Sequence, residues 1–377
     1  MENTSLINFF RQVAQNPYAY LQEWPAKTGA RLLGYFCINT PEEIIHAAGF
    51  LPVRITGSEE NLSLAARHLP SYCCSLVQST LEAALRGKLS FLTGTVFPHT
   101  CDSIQRLSDI WAMNISFPFH WDIVLPVKLH TLSARTYLIQ ELQRFKKGLE
   151  EFSGRFIKDE DLKSSFHLFN SIRSLLRKLA ITQIGGDYSL AAKDFYTFLK
   201  VSAIMDREEF LVQLQNFMAQ KEHDKYRKEA ATPLFLVGSI CDHFALFDLF
   251  NNCGAQIVGD DLCSGWRYIS VDVSLSGDPL EALAERLRQR PPCPCKYNPA
   301  FDRAAELLAR IKASSAKGVV FLLSKFCDPH AFDYPYLKDK LRSEDIPHLL
   351  LEIEPGTFSW GGLETRLRAF VEALREI

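Results

Sequence analysis

Short apolar runs alternate with helix-like segments at both ends of this chain of 377 residues, and no other feature restricts the fold as strongly. In the first block, runs with the length and composition of buried strands cover residues 31–36, 51–55, 95–97 and 122–127. A segment between the first two has helix signals: Thr40 and Glu43 match a capping box, Pro41 suits the first helical position, and Gly49 suits the helix end. Strands separated by helices favour a parallel sheet.

The same alternation returns after residue 232, beyond a middle segment with a different pattern. Strand-like runs cover 233–239, 256–259, 318–323 and 348–352, and helix-like segments cover 244–250, 301–313 and 365–377. From 133 to 225 apolar residues recur at alternating steps of four and three, the period of an amphipathic helix. The sequence predicts an α/β protein with two open parallel-sheet domains, flavodoxin-like or Rossmann-like. We assign them to 1–132 and 232–377, joined by a helical connector at 133–231.

Composition and charge exclude several classes of partner. The formal net charge of −2 gives no electrostatic reason to bind nucleic acid or an anionic membrane. The apolar runs are far shorter than the roughly 20 residues of a membrane helix, and the N-terminus lacks a secretory pattern. Ten cysteines in such a chain do not indicate a disulfide framework. We expect a soluble protein of a reducing cytoplasm.

Several cysteines lie where a loop is about to enter a helix. Cys101 and Cys327 each follow a strand-like run, and the pair Cys73-Cys74 precedes a helical segment. Ligands of open α/β sheets bind at the carboxyl ends of the strands, and helix N-termini lower the pKa of a thiol. Thiolates are the usual protein ligands of iron–sulfur clusters. Three thiolates that converge there, with one iron position left open, predict a site that also binds substrate.

Six short motifs occur in a fixed order along the chain. They cover residues 40–43 with 47–49, 74–79, 98–103, 260–265 with 267–268, 325–329 and 361–370. In this order the motifs resemble those of the family of 2-hydroxyacyl-CoA dehydratases and benzoyl-CoA reductases. The resemblance covers nearly the whole chain, from residue 40 to residue 370.

The resemblance implies a heterodimer with a second, homologous subunit, in which both subunits hold a 4Fe–4S cluster on three cysteines. The motifs place these ligands at Cys74, Cys101 and Cys327, with Cys73 as an alternative to Cys74. Water, sulfide or an oxygen of the acyl-CoA substrate takes the fourth iron position. The implied reaction adds one electron to the thioester of a 2-hydroxyacyl-CoA, and the resulting ketyl radical anion expels hydroxide.

The electron for this reaction needs an external source. The chain contains no G-x-x-x-x-G-K-[ST] motif, and no G-x-G-x-x-G stands at a strand end. The resemblance implies a separate ATP-hydrolysing iron–sulfur activator. Two other functions stay open: a subunit of an ATP-dependent benzoyl-CoA reductase, and a non-catalytic, cluster-carrying electron-transfer paralogue.

Two neighbouring glutamates have two interpretations. Glu42 and Glu43 match a family position where a carboxylate acts as acid or base near the substrate, and helix capping explains them equally well. In the capping interpretation Glu43 is the capping residue and Glu42 is the freer group. Asp102 and Asp328 each follow a predicted ligand cysteine, and we expect them to cap helices.

The remaining polar groups near the motifs carry weaker expectations. Arg267 and Lys325 are open to two roles, contact with coenzyme A phosphates or an exposed structural position. The segment Cys293-Pro294-Cys295 lacks the two-residue gap of zinc sites and is interpreted as a loop. Cys37, Cys241 and Cys253 are expected to be structural thiols, and Cys263, in a strand-end loop, is open to two roles, a structural thiol or a residue near the cluster.

Overall fold

The computed structural model describes residues 3–57, 62–185, 190–221, 231–353 and 360–376. Its named strands form two separate sheets of four strands each, and every pairing within both sheets is parallel. This arrangement confirms the α/β class and the two open parallel sheets that the alternating pattern predicts.

The N-terminal block builds the first sheet, in the order β2-β1-β3-β4. Its strands are β1 (Arg31–Tyr35), β2 (Phe50–Arg54), β3 (Gly94–Pro98) and β4 (Phe119–Ile123). In the register of the sheet, Leu33 of β1 lies between Pro52 of β2 and Gly94 of β3. Every residue of β2 and β3 is buried, as expected for parallel strands covered on both faces.

The C-terminal block repeats this topology, in the order β6-β5-β7-β8. Its strands are β5 (Thr232–Gly238), β6 (Ala255–Asp261), β7 (Gly318–Ser324) and β8 (His348–Ile353). In each sheet the strand order reverses beside the first strand, so a crevice opens at the carboxyl ends between β1 and β3 and between β5 and β7. Gly238 is required here, because a Cβ atom at this position would collide with the carbonyl oxygen of Leu322 on β7.

Helices cover the faces of both sheets and fill the middle of the chain. Within the described ranges, no helix has an apolar stretch long enough to cross a bilayer. The helices are α1 (Asn3–Gln15), α2 (Pro17–Thr28), α3 (Glu42–Ala47), α4 (Ser75–Leu85), α5 (Asp102–Asn114), α6 (Leu132–Ser153), α7 (Asp159–Gly185), α8 (Ala192–Ser202), α9 (Arg207–Lys221), α10 (Phe244–Asn252), α11 (Trp266–Ile269), α12 (Pro279–Gln289), α13 (Arg303–Ala313), α14 (Asp328–Ser343) and α15 (Trp360–Glu376).

One continuous apolar core connects the helices of the middle segment with both sheets. Leu32 of β1, Trp111 of α5, Phe198 of α8 and Leu236 of β5 all belong to it and are fully buried. Helix α7 packs against α3 beside the first sheet and against β6 of the second sheet. Because the middle helices touch both sheets, they fix the position of one carboxyl edge relative to the other.

The position of the fourth strand differs from its prediction. The structure places β4 at Phe119–Ile123, whereas the sequence pattern indicates residues 122–127. Phe119 is buried in the core, while Val124 and Val127 are 41% and 60% exposed. The strand therefore spans the buried side chains of Phe119 and Ile123, and the residues after it lie in a loop.

The predicted capping box does not form. Helix α3 begins at Glu42 with Pro41 at its N-cap, and the buried hydroxyl of Thr40 has no hydrogen-bond partner. Gly49 does follow the helix in the left-handed conformation, with φ of 83°, as expected of a terminating glycine. Glu43 is consequently not a capping residue, and its carboxylate is used elsewhere.

Candidate functional site

Cysteines follow the strands at the carboxyl edges of both sheets. Cys37 comes shortly after β1, Cys101 after β3, Cys263 after β6 and Cys327 after β7. This edge is where open parallel sheets bind their ligands. All four cysteines, from both sheets, pack against the same apolar core. The two carboxyl edges therefore face one shared site.

Three loop cysteines occupy the same position relative to a helix. Cys74 is the N-cap of α4, Cys101 of α5 and Cys327 of α14. None of the three side chains makes a capping hydrogen bond. Each sulfur therefore lies at the positive end of a helix macrodipole and is not used as a capping group.

The structure brings these three predicted ligands together. Burial raises the pKa of each thiol, to about 12 for Cys101. Neighbouring thiols add to the increase, because Cys74 acts on both Cys101 and Cys327, and Cys101 acts on Cys327. Backbone N–H groups in the first turn of each helix lower the pKa values, by less than burial raises them. Ionising all three at neutral pH requires a bound cation such as a metal centre.

The adjacent Cys73 interacts with different groups. Burial and the carboxylates of Asp102 and Asp328 raise the pKa of its thiol. The electrostatic effect on the other two predicted ligands comes from Cys74 instead. The choice between Cys74 and Cys73 as the first ligand stays a prediction.

A chain of two hydrogen bonds reaches the sulfur of Cys327. The sulfur of Cys327 lies 3.3 Å from Nδ1 of His330, and Nε2 of the same ring lies 3.0 Å from Nη1 of Arg267. Because Arg267 can only donate, Nε2 accepts and the proton is on Nδ1, which donates to the sulfur. Burial lowers the pKa of His330 and keeps the ring neutral. This chain orients a neutral donor towards a predicted ligand.

Arg267 is a fully buried residue, so its predicted exposed role is wrong. Its guanidinium makes two hydrogen bonds to Asp261, at 2.9 and 2.7 Å, and Nη1 donates to the sulfur of Cys263 at 3.3 Å. Arg303 donates to the same carboxylate at 3.1 Å. These arginines hold the pKa of Asp261 far below its ordinary value although burial opposes the shift. Arg267 positions the loop after β6 from inside the core.

The aspartates beside the predicted ligands do not cap helices. Asp102 and Asp328 are the first helical residues, because the preceding cysteines occupy the N-cap positions. Their charges interact favourably with the N-terminal ends of α5 and α14. Phe326, just before Cys327, has a φ of 62°, in the left-handed region that a bulky residue rarely adopts. The turn that positions Cys327 therefore carries backbone strain.

A cavity of about 780 Å³ lies beside the first of the three cysteines. Ser75 and Leu76 of α4 line it next to Cys74, and Ser324 at the end of β7 lines its other side. Lys200 is also part of the wall. The cavity has the size of a small-molecule site and reaches the edges of both sheets.

The two glutamates of α3 lie in a buried charge network. Glu43 accepts a hydrogen bond from Arg173 at 2.8 Å, and both side chains are fully buried. Glu42 accepts from the hydroxyl of Tyr35 at 2.6 Å and from Arg207 at 3.4 Å. Glu42 is therefore not the freer group that the capping interpretation expects. The network joins α3 of the first block to α7 and α9 of the middle segment.

A histidine and aspartate cluster at the carboxyl ends of β3 and β4 was not predicted from the sequence. His99 Nε2 lies 2.9 Å from Oδ1 of Asp122, and Ser108 of α5 donates to the same oxygen at 2.6 Å. Ser108 also lies 2.9 Å from Nε2 of His120. The alternation of β4 was the available signal, because His120 and Asp122 are two residues apart and share a face. The cluster fixes His99 two residues before Cys101.

We expect this cluster to affect stability in acid. Although burial opposes the shift, hydrogen bonds from His120, Ser108 and His99 lower the pKa of Asp122 to about 2. An unfolded aspartate titrates near about 3.9, so this stabilisation is fully present above about pH 4 and is lost as the pH falls towards 2. Between these pH values, the free energy of unfolding should therefore fall less steeply in Asp122→Asn than in the wild type. Urea titrations of the metal-free proteins measure it.

The matched control for the acid experiment is Asp109→Asn on α5, whose carboxylate is 65% exposed and lies 3.5 Å from Arg106. This variant should follow the wild-type curve. Equal slopes for Asp122→Asn and the wild type would contradict the assigned pKa of Asp122.

The three thiols fit an iron–sulfur cluster by the chemistry of the donor set. They are soft ligands, they are not consumed by helix capping, and each lies at a helix N-terminus. Within the part of the chain that the structure describes, no group of three His, Cys, Asp or Glu side chains could hold a single metal ion. The three thiols would instead hold an iron–sulfur cluster, whose ligands lie farther apart than the ligands of a single ion.

Comparison with known proteins gives consistent matches along the whole chain. A family model described as 2-hydroxyglutaryl-CoA dehydratase, D-component, matches residues 37–374. The chain is 26% identical to the (R)-phenyllactyl-CoA dehydratase beta subunit of Clostridium sporogenes, over 97% of this chain and 98% of that protein. It is 27% identical to the lactoyl-CoA dehydratase beta subunit of Anaerotignum propionicum, over 98% and 99%. It is 26% identical to one of the benzoyl-CoA reductase subunits of Thauera aromatica, over 94% of both chains.

Proposed function

The chain belongs to the 2-hydroxyglutaryl-CoA dehydratase D-component family, and we propose that it is the iron–sulfur subunit of a 2-hydroxyacyl-CoA dehydratase-type enzyme. In the proposed reaction, ATP-driven one-electron activation precedes elimination of water from a 2-hydroxyacyl-CoA through a ketyl radical. The observation that carries the proposal is the shared position of three cysteines from both sheets, each at the N-cap of a helix, with a cavity of about 780 Å³ that reaches the helix after Cys74.

We assign Cys74, Cys101 and Cys327 as the ligands of a 4Fe–4S cluster. When bound, such a group supplies one-electron transfer at low potential. The chain's own residues supply placement and charge. His330 donates from Nδ1 to the sulfur of Cys327, and a hydrogen bond to a ligand sulfur favours its anionic form. Cys74 is buried, and Cys101 and Cys327 are partly exposed.

The cavity beside Cys74 is the proposed binding region for the acyl-CoA. Ser75 and Ser324 offer hydroxyl groups on its two sides, and Lys200 offers a positive charge for a phosphate. The cavity reaches α4 directly after Cys74, the first of the proposed ligands in the chain. Lys325 follows Ser324 in the chain, and we propose it as a second residue that contacts the phosphates of coenzyme A.

The proposed partners are a second, homologous subunit and an ATP-hydrolysing activator. The dehydratase relatives are named as beta subunits, which supports a partner subunit for this chain. The chain has no P-loop motif, which supports a separate activator. We place the complex in the cytoplasm, where thiols stay reduced.

The second candidate is a subunit of an ATP-dependent benzoyl-CoA reductase. It is favoured by the similarity to the benzoyl-CoA reductase subunit from Thauera aromatica, which covers as large a share of that protein as of this chain. In that case the same cysteines would pass electrons to an aromatic ring. Anaerobic co-purification with the partner and the activator, followed by assays with 2-hydroxyacyl-CoA and benzoyl-CoA, distinguishes the two. Turnover of neither class with the cluster intact would favour a non-catalytic electron-transfer protein.

A catalytic role of Glu42 and Glu43 stays a prediction, and their burial supports a structural role beside it. Glu42→Gln tests the two roles in one variant. A fall in kcat with an unchanged free energy of unfolding indicates acid–base catalysis. A fall in stability with an unchanged kcat in the folded fraction indicates a structural role, in which Glu42 accepts hydrogen bonds from Tyr35 and Arg207.

Serine in place of a proposed ligand should remove the cluster. In Cys101→Ser and in Cys327→Ser the loss should be about four irons per chain, the content of one 4Fe–4S cluster, because a hydroxyl is a poor iron ligand here. Iron and acid-labile sulfide analysis of anaerobically purified protein measures this loss. Cys74→Ser should lose the same amount, and Cys73→Ser should lose much less.

The matched control is Cys253→Ser, a buried thiol at the end of α10 whose sulfur lies 3.9 Å from the carbonyl oxygen of Glu364. It should keep all of its iron. Full iron retention in both Cys101→Ser and Cys327→Ser would refute the assigned site. A larger loss in Cys73→Ser than in Cys74→Ser would move the ligand by one residue.

A further inference from the structure

Arg267 uses every N–H donor of its side chain within the core. Nε and Nη2 donate to the two carboxylate oxygens of Asp261 at 2.9 and 2.7 Å, and Nη2 also donates to the carbonyl oxygen of Asp261 at 2.8 Å. Nη1 donates to the sulfur of Cys263 at 3.3 Å and to Nε2 of His330 at 3.0 Å. A guanidinium group has five such donors in one plane, so none is left over and the position of Arg267 is fixed.

Asp261 is itself held by Arg303, which joins it to α14. Arg303 Nη2 donates to Asp261 at 3.1 Å, and Arg303 Nε donates to Oδ2 of Asp333 at 3.1 Å. Asp333 and His330 lie one turn apart on the same helix, α14. The carboxylate that holds Arg267 is therefore connected to the helix that carries His330.

The contact with Arg267 decides which nitrogen of the His330 ring carries the proton. A guanidinium group is always protonated and has no acceptor, so Nε2 of the ring accepts its hydrogen bond. The ring proton is then on Nδ1, which lies 3.3 Å from the sulfur of Cys327. His330 is only 6% exposed, so water has little access to either nitrogen.

This side-chain donor distinguishes Cys327 from the other two proposed ligands. Among the described residues, no side chain donates a hydrogen bond to the sulfur of Cys74 or Cys101. Backbone N–H groups in the first helical turn interact with the sulfurs of all three cysteines. The ring of His330 is thus an additional donor that only Cys327 receives.

A donor on one ligand sulfur affects the electronic properties of a bound cluster. Hydrogen bonds to the sulfurs are among the factors that set the reduction potential of iron–sulfur clusters. An N–H group favours the more negative charge state, which is the reduced one, and so raises the potential. The proton must be on Nδ1 for this effect, because an unprotonated Nδ1 would direct its lone pair at the sulfur.

We propose that Arg267 is a positioning residue that fixes the Nδ1–H tautomer of His330, and that the ring of His330 thereby raises the reduction potential of the cluster on Cys327. This inference rests on the proposed function, because it concerns the cluster assigned to Cys74, Cys101 and Cys327. Arg267 acts only through the ring and contacts no reacting atom. A higher potential makes the cluster easier to reduce by the proposed activator.

The tautomer is measured first, on the metal-free, full-length chain with isotope-labelled histidine. NMR spectra that correlate ring protons with ring nitrogens distinguish Nδ1–H from Nε2–H. The chain has ten histidines, and the signals missing from His330→Asn identify those of His330. We expect Nδ1–H in the wild type. Arg267→Lys should lose this single tautomer, because one ammonium nitrogen cannot bond to Asp261 and His330 as the guanidinium fork does.

The matched control for the tautomer is Arg303→Lys, the same substitution at a second arginine that donates to Asp261. Within the described ranges, the side chain of Arg303 donates to Asp261, Asp333 and the carbonyl oxygen of Pro292, and not to His330. Arg303→Lys should therefore keep the Nδ1–H tautomer. A general loosening of the core would change the tautomer in both variants. Far-UV circular dichroism checks that each variant is folded.

The potential is measured next, by redox titration of the anaerobically reconstituted chain, followed by electron paramagnetic resonance. His330→Phe keeps a planar ring without a donor, so at a fixed solution potential the ratio of reduced to oxidised cluster should fall about tenfold. For one electron, this change corresponds to a potential lower by about 59 mV. His330→Asn keeps an amide N–H near the position of Nδ1 and should restore most of the potential.

Two further variants complete the potential measurement. Arg267→Lys should lower the potential in the same direction as His330→Phe, and it replaces His330→Phe if that variant fails to fold. His348→Phe should leave the potential unchanged, because His348 begins β8 and so lies at the amino edge of the sheet, away from the cysteines.

The outcomes separate this inference from the proposed function. An Nε2–H tautomer in the wild type, or a wild-type potential in both His330→Phe and Arg267→Lys with the cluster bound, would overturn the inference and leave the cluster assignment intact. A wild type that takes up no iron would overturn the proposed function, and with it the effect on the potential, even if its His330 ring shows Nδ1–H.

Discussion

The isolated chain, with its iron fully reconstituted, should show no turnover of 2-hydroxyacyl-CoA or benzoyl-CoA. The chain has no nucleotide-binding loop, and reduction of a thioester needs an electron at very low potential. Addition of the partner subunit, the ATP-dependent activator and a strong reductant should start the reaction. Product formation measured by chromatography, with each component omitted in turn, checks this expectation. Turnover by the chain alone, without ATP, would contradict the dehydratase and the reductase proposals together.

The amount of ATP hydrolysed per product then separates these two proposals. In a dehydratase the electron returns at the end of each cycle, so one activation should support many turnovers. In a reductase the electrons stay in the product, so ATP hydrolysis should accompany every turnover. The control is Cys327→Ser with the same partner and activator, which should form no product while the activator still hydrolyses ATP.

Replacing Glu43 by glutamine should destabilise the protein by about 3–5 kcal/mol, the usual cost of breaking a buried ion pair. Glu43 is fully buried, 2.8 Å from Nη1 of Arg173, with Nη1 of Arg286 at 3.8 Å from the same oxygen. Burial and the nearby Arg173 already lower the pKa of Arg286 to about 9. Without the carboxylate, the two guanidinium groups repel each other in a buried position. Urea unfolding followed by circular dichroism measures the loss.

The matched control for this experiment is Glu364→Gln on α15. Glu364 pairs with Arg368 at 2.7 Å, but both side chains are more than 40% exposed. Its replacement should change the free energy of unfolding by less than about 1 kcal/mol, as for other surface pairs. A wild-type free energy of unfolding for Glu43→Gln would show that the network around α3 does not depend on this charge.

Local sequence patterns were sufficient to predict the two sheets and the positions of the loop cysteines. The strands after residue 232 were predicted within a few residues, because each apolar run has the length of one buried strand. Cys101 and Cys327 were predicted at the starts of helices, and the structure places them at N-cap positions. Residues 222–230 of the predicted connector lie outside the described part of the chain.

Local patterns were insufficient where a side chain's partner is distant in the sequence. The capping box of α3 was wrong because Glu43 pairs with Arg173, 130 residues away. The exposed position, one of two roles expected of Arg267, was wrong because its partners, Asp261 and His330, lie with it in the core. Capping signals report only on neighbours within one turn, whereas ion pairs depend on how the helices pack.

The sequence by itself determined the alternation that builds two parallel sheets and the order of the family motifs, because both depend on residues close together in the chain. Only the tertiary structure decided the surroundings of the cysteines. The sequence left Cys263 open to two roles, a structural thiol or a residue near the cluster, and packing places its sulfur 3.3 Å from Nη1 of Arg267, which also contacts His330 beside Cys327. Proximity between such distant parts of the chain depends on the middle helices that hold both sheets against one core, and no local pattern encodes it.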